Sequence, residues 1–473
     1  MPRIDFIPND PAAGLPPLPI DSSPERAAGR AQIRIRQPGA TSLAADQALF
    51  WQCREAALAS LAFWETCRGT PLDAWARSGA LEIKPFEAAD GGGEPDAFFD
   101  GRQIVFRNTA AVRPGLSVDV VTHELGHAIL DAWNPALRNS SSLEHVAFHE
   151  AFGDSLALLV ALSDVTVATQ ALRNGLDQRN AAETLLESLA RAIAGDRGLP
   201  DQALTRHALN DSRWSANFPF ITRLTPEYEL SLVFTGAIYD SIVALFGLRG
   251  PASVDGLSAA ALTIGELLAR AVRDAPYDHS LFSAMGNSML AASVDDDEHK
   301  ALKQGFAAHG LEITATAIAQ PEESFPAPAS SGLLHGVGRS LPRLVARRFG
   351  LLPRRSSQGR MRIGERDVVW VGHEHEIDLR PVHSTLKSVR TYVYQETWLT
   401  REPHGWAVVQ RPRAAATLED AALSYVEQLY KQGRIANRLP RRHPAALKAT
   451  HAVVRRKNRK DARLDRLRFA CCG

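Results

Sequence analysis

The chain has 473 residues, of which 45% are hydrophobic, 23% charged and 7% aromatic; it is too apolar for a disordered polypeptide and long enough for roughly two to four units with cores of their own. No continuous apolar run approaches the roughly 18 residues of a spanning helix; the best is Leu156 to Leu162, so no membrane span is expected. The net charge of +1 conceals an asymmetry: residues 331–473 hold 29 Lys/Arg and 12 Asp/Glu, leaving 25 and 41 in residues 1–330, which predicts two structural units of opposite sign.

Residues 1–40 are rich in Pro, Gly and Arg without periodicity and predict an extended Pro-rich arm. Its first part, Met1 to Pro17, holds five prolines, two acids and no apolar h-region, unlike a secretory signal. From Thr41 to Cys67 apolar residues (Leu49, Ala56, Leu58, Leu61, Phe63, Trp64) recur at helical spacing. After Gly91-Gly92-Gly93, Ala97 to Arg107 has strand character. Helical windows follow at Val118–Ala132, Val146–Leu162, Ala181–Ala194, Leu230–Leu245, Ala259–Ala271 and His299–His309. Pro, Ser, Gly and Arg then dominate a predicted linker with one basic helical patch. Strand runs at Val368–Val371, Val389–Leu399 and Trp406–Val409, a helix from Leu418 to about Gln432, and a basic stretch complete the chain.

These shifts divide the sequence into an arm (1–40), an N-terminal lobe (41–135), a helical lobe (136–320), a linker (321–360), a small α+β domain (361–437) and a basic tail (438–473). Cys53, Cys67, Cys471 and Cys472 are too few, and wrongly spaced, for a disulfide scaffold or a Cys-based zinc site. The default address is a reducing cytoplasm, with signal-independent export left open. Cys471-Cys472-Gly473 does not fit the prenylation pattern, which needs Cys four from the end.

The chemistry is concentrated in His123-Glu124-Leu125-Gly126-His127. On a helix, positions i and i+4 share a face, so both imidazoles can reach one ion. Catalytic zinc usually takes three protein ligands and a water. Glu150, in His149-Glu150-Ala151-Phe152-Gly153-Asp154, is the candidate third ligand. Asp154, one turn later on the same face, can accept the free ring N–H of a ligand histidine and fix its tautomer. The alternative is a buried polar cluster or a solvated face on two neighbouring helices.

HELGH followed after 21 intervening residues by HEAFGD resembles the thermolysin-like and fungalysin-like gluzincin metallopeptidases, whose second motif is E-x-x-x-D. Asp96 to Phe106 is similar to that family's active-site edge strand, and Val233–Asp240 and Gln304–Leu311 resemble later helices of its fold. The resemblance spans roughly residues 45–315. It implies a two-lobed α+β metallopeptidase with a helical C-terminal lobe, followed here by a small basic α+β domain. It also implies a cofactor, Zn2+, with ligands His123, His127 and Glu150, Asp154 orienting His123, and Glu124 as the base that activates water and passes the proton to the leaving amine. Substrate, a protein or peptide, would lie along Asp96, Ala97 and Phe98.

The sequence departs from the family at several points. Asp96 stands where an Asn usually holds substrate; a carboxylate accepts but cannot donate. The family commonly has an oxyanion-stabilising His shortly before the Thr235-Gly236-Ala237 helix; Pro226–Ser231 holds none, so Tyr228 is the candidate oxyanion donor. After Asp154 the acids are scattered, and calcium is not predicted. Many relatives carry a long pro-segment, for which the motif lies too near the start.

Other features have plainer readings. His373-Glu374-His375-Glu376 falls in a strand run, with both His on one face, and reads as an exposed polar strand. His207, His279 and His309 lack ligand spacing and read as surface or cap residues. The basic runs Arg441-Arg442 and Arg455–Lys460 could meet an anionic partner, stay solvated or dock on the acidic part of the same chain. Two other functions stay open: a non-catalytic zinc-bearing binding module, and a nucleic-acid or partner-binding protein working through the basic C-terminal unit.

Overall fold

The computed structural model describes residues 2–39, 43–89, 94–176, 208–215, 226–277, 280–314, 323–326, 340–353, 355–363, 366–402, 405–437, 449–455 and 462–470. The helical window at 181–194 lies outside them, as do His207, His279 and the basic runs 441–442 and 456–460.

Residues 1–40 are not a loose arm. β1 (Arg3–Phe6) and β2 (Leu18–Asp21) form an antiparallel ribbon, and β3 (Gln32–Ile35) enters a larger sheet. The Gln52 side chain clamps Ile7, accepting from its N–H at 2.9 Å and donating to its carbonyl at 2.7 Å. Strands of four residues, half exposed, are too short to give a periodic signal.

α1 (Ala44–Arg68) leads to β4 (Ala80–Ala88), β5 (Asp96–Phe99) and β6 (Gln103–Asn108). β3 and β6 flank β4 in parallel, and β5 pairs antiparallel with β6. The helices that follow are α2 (Val118–Trp133), α3 (Pro135–Arg138), α4 (Leu143–Ser163), α5 (Val165–Asn174), α6 (Pro226–Leu248), α7 (Val254–Asp274), α8 (Leu281–Ala292) and α9 (Asp296–Ala308). The Ser117 hydroxyl caps α2 by accepting from the Val120 N–H. α4 is buried from Glu144 to Leu162, as expected of a central helix apolar on nearly all sides.

By length and composition alone α4 and α6 are long and apolar enough to cross a membrane, although neither holds a long unbroken apolar run. A window average tolerates interspersed polar residues such as His149 and Glu150, whereas a run does not. These windows are 94% and 67% buried inside the protein, so both helices serve as core.

An eight-stranded sheet follows. Its elements are β7 (Glu323–Pro326), α10 (Ser340–Arg348), β8 (Arg355–Ile363), β9 (Arg366–Asp378), β10 (Val389–Glu402), β11 (Gly405–Gln410), α11 (Ala415–Lys431), β12 (Ile435–Ala436), β13 (His451–Arg455) and β14 (Ala462–Arg466). β10 is its spine, antiparallel to β9 and β11 and parallel to β14. The expected linker 321–360 therefore carries β7, α10 and β8, and the expected tail carries β13 and β14. β7 and β8 are edge strands, and an edge strand such as Arg355–Ile363 can be polar and basic.

The eight-stranded sheet is docked on the helices. The Ser141 N–H donates to the Tyr392 carbonyl at 2.7 Å, and the Tyr277 N–H to Glu396 Oε2 at 3.2 Å. Tyr394, Tyr425 and Leu429 share one buried cluster with α1, α2, α4, α6 and α7. The chain then returns to the first sheet: β15 (Phe469–Ala470) pairs antiparallel with β5, giving the order β15-β5-β6-β4-β3.

Candidate metal centre

α2 and α4 meet face to face, and two glycines permit the approach. A Cβ on Gly126 would lie 2.9 Å from the Gly153 Cα, and one on Gly153 would lie 2.6 Å from His123 Nδ1. With both side chains absent, Glu150 and Asp154 come against the HELGH face. His123 Nδ1 is 2.8 Å from Asp154 Oδ1. The carboxylate can only accept, so Nδ1 carries the proton, and Nε2 is the nitrogen on the side of the centre. There Glu150 Oε2 lies 3.4 Å from His123 Nε2 and 3.7 Å from His127 Nε2. Ligand atoms of His123, Glu124 and His127 also lie within 4.8 Å of one another, a grouping able to hold a metal ion.

The donor chemistry fits a divalent cation. A cation placed between His123 Nε2, His127 Nε2 and Glu150 Oε2 would meet one donor atom from each. His123, Glu124, His127, Glu150 and Asp154 are all at most 1% exposed, so an ion held there would be shielded from bulk water. Two imidazoles and one carboxylate are a common set for zinc.

The surroundings hold groups that the sequence reading did not single out. The Phe469 ring stacks on His127 at 4.5 Å and on His149 at 4.3 Å between centroids. Burial, followed by Arg466, Arg138 and His145, pushes the His149 pKa well below the ordinary imidazole value. Arg466 Nη2 donates to the Tyr425 hydroxyl at 3.0 Å. Burial opposes its charge, but Tyr425, Glu227 and Glu150 outweigh burial and hold its pKa above the usual value. Arg138 Nη2 donates to the Leu467 carbonyl at 3.2 Å. A two-residue strand has no periodicity, and nothing in the sequence sets its register against residues some 370 positions earlier.

β5 carries Asp96, Ala97 and Phe98, but it is not a free edge, because β15 occupies its outer side. Asp96 Oδ2 accepts from Arg468 Nη1 at 2.7 Å. Tyr228 is buried in the first turn of α6, beside Glu227, which acts electrostatically on Arg466. His309 caps the end of α9 as expected but is buried, its Nδ1 2.7 Å from the Ser212 carbonyl and its Nε2 3.3 Å from Asp240 Oδ2.

The HEHE strand requires a correction. His373 and His375 both lie in β9 but are buried, with 0% and 6% exposure, because helices pack on their face of the sheet, α10 against Val369 and Val371 and α11 against Ile377. Burial, with the charge of His375 adding to it, lowers the His373 pKa to about 4.

No known protein family matches the sequence, and no curated protein matches it either. Among solved structures, the precursor of protealysin, a metalloproteinase from Serratia proteamaculans, matches with a TM-score of 0.40 and 13% identity, over 62% of this chain and 90% of that one.

Proposed function

We propose that this protein is a zinc-dependent endopeptidase whose metal is held by His123, His127 and Glu150. The observation that carries this reading is the convergence of His123 Nε2 and His127 Nε2 on Glu150 Oε2, with Asp154 holding the opposite nitrogen of His123. A zinc ion bound there supplies a Lewis acid that brings the acidity of water close to neutral pH. Glu124 lies on the same helical face, accepts a proton from the attacking water and delivers it to the leaving amine. Asp154 keeps His123 in the tautomer that presents Nε2. Tyr228 is the proposed donor to the developing oxyanion, and residues 41–320 form the proposed two-lobed catalytic part. The base at Glu124 favours catalysis over a purely structural metal site, which has no use for one there.

The test is metal analysis of the purified protein, together with cleavage of a mixed peptide library by the unaltered chain, by Glu124→Gln and by a chelated sample. About one zinc per chain is expected, with cleavage slow while β15 fills the outer side of β5 and lost altogether in Glu124→Gln and after chelation. Equal cleavage by Glu124→Gln, or absence of zinc uptake, would overturn the reading.

A further inference from the structure

The side of β5 on which an added strand would lie is filled by the protein's own chain. Phe469 stands opposite Phe99 and Ala470 opposite Phe98, antiparallel. Neighbouring residues of a strand point to opposite faces, and both faces are used. Phe469, 1% exposed, lies on the imidazoles of His127 and His149. Arg468 forms an ion pair with Asp96 at 2.7 Å, each side chain 8% exposed, and its guanidinium lies 5.2 Å from the centre of the Phe98 ring. Phe469 thus covers the His127 ring, and His123, Glu124, His127 and Glu150 are closed to solvent.

We infer that the groove along β5 is a binding site for an extended peptide in which an arginine precedes an aromatic residue, and that Arg468-Phe469-Ala470 is its built-in occupant. Strand addition supplies affinity through the backbone, and side-chain pockets supply selectivity. Asp96 then has a purpose. A carboxylate cannot donate to a substrate, but it is suited to a guanidinium, and at this depth the pair needs both partners. The aromatic seat is formed by the two histidine faces. Leu467 alone links Arg466, the last residue of β14, to this segment, and its N–H and carbonyl are held by the Thr450 carbonyl and Arg138 Nη2, so the segment from Arg468 onward can leave β5 while the Arg466–Tyr425 contact holds. That the same groove positions substrate for cleavage rests on the peptidase reading; that it binds such a peptide does not.

The test uses the full chain in a Glu124→Gln background, so that no bound peptide is cut. A fluorescent peptide, Arg-Leu-Arg-Phe-Ala, is titrated into this chain and into versions also carrying Phe469→Ser or the milder Arg468→Gln. Binding at least tenfold tighter to the Phe469→Ser version is expected, with a smaller gain for Arg468→Gln and none for the exchanged peptide Arg-Leu-Phe-Arg-Ala. Excess cognate peptide should also speed amide exchange at Phe469 and Ala470 in the chain with an unaltered tail, a readout independent of how either variant folds. No gain in either folded variant, equal binding of the exchanged peptide, or unchanged exchange at Phe469 would each overturn the inference. A binding gain with Glu124 intact but no library cleavage would retire the peptidase and leave the groove standing.

Discussion

Asp154 and Gly153 adjoin in sequence and act on the same ring in different ways: one fixes a proton, the other leaves room. Replacing Asp154 by Ala removes the acceptor at 2.8 Å from His123 Nδ1 and frees the ring to turn or change tautomer. Loss of such a contact typically weakens metal binding about 10–100-fold, and competition with a zinc-chelating dye measures it. Gly153→Ala puts a methyl 2.6 Å from the same nitrogen and 3.0 Å from the His123 carbonyl oxygen. Overpacking of this kind costs about 1–3 kcal/mol, so a lowered melting temperature is expected together with reduced zinc affinity. An Asp154→Asn chain, still able to accept, should retain more affinity than Asp154→Ala. At this scale the sequence was most informative. His123, His127, Glu150 and Asp154 meet because helical spacing and two glycines bring them together, and such spacing can be read directly. Phe469, Arg466 and Arg468 were hidden because their contacts are made through tertiary register.

Long elements announced themselves through periodicity, and short ones did not. The expected window Val146–Leu162 lies within α4, Leu230–Leu245 within α6, and the run Val389–Leu399 within β10. β7, β8 and β15 went unnoticed because they are short, polar or at an edge. Element context also overrides local appearance at His373, whose alternating polar neighbours read as solvated although α10 and α11 pack on its face of the sheet. Its pH consequence follows from the sign of the shift. His373 stays neutral in the fold down to about 4, whereas in the unfolded chain it gains a proton near pH 6.5. The unfolded state binds more protons in that window, so stability falls as pH drops from about 6.5 to about 4. Urea unfolding at pH 7 and pH 5 should show this loss, and His373→Gln should reduce it. An unchanged pH dependence in that variant would mean that burial at β9 does not govern the titration.

Across the whole molecule, the opposite charges of residues 1–330 and 331–473 suggest a union sensitive to salt. The contacts themselves argue otherwise. Arg468–Asp96 and Arg466–Tyr425 are buried, and Tyr394, Tyr425, Leu429 and Phe469 share the apolar cluster of the helices. Screening acts mainly on exposed charges separated by more than about a Debye length, roughly 8 Å at physiological salt. Amide exchange at Phe98 and Phe99 should therefore be nearly the same in 0.15 M and 1 M salt (about a sevenfold change in ionic strength). Marked acceleration at high salt would show that long-range attraction, not packing, holds the C-terminal sheet in place.

Because β15 is tethered, an outside peptide competes with a ligand that never diffuses away. A short tether gives an effective concentration on the order of 1 mM. For a peptide identical to the resident segment, the apparent dissociation constant in the intact protein is the intrinsic constant plus that effective concentration, so it stays above about 1 mM however tight the intrinsic fit. Raising the groove's intrinsic affinity for this sequence would therefore gain nothing against the tether. A foreign peptide succeeds by fitting better than Arg468-Phe469-Ala470, or by arriving when a force or a partner has drawn the strand away.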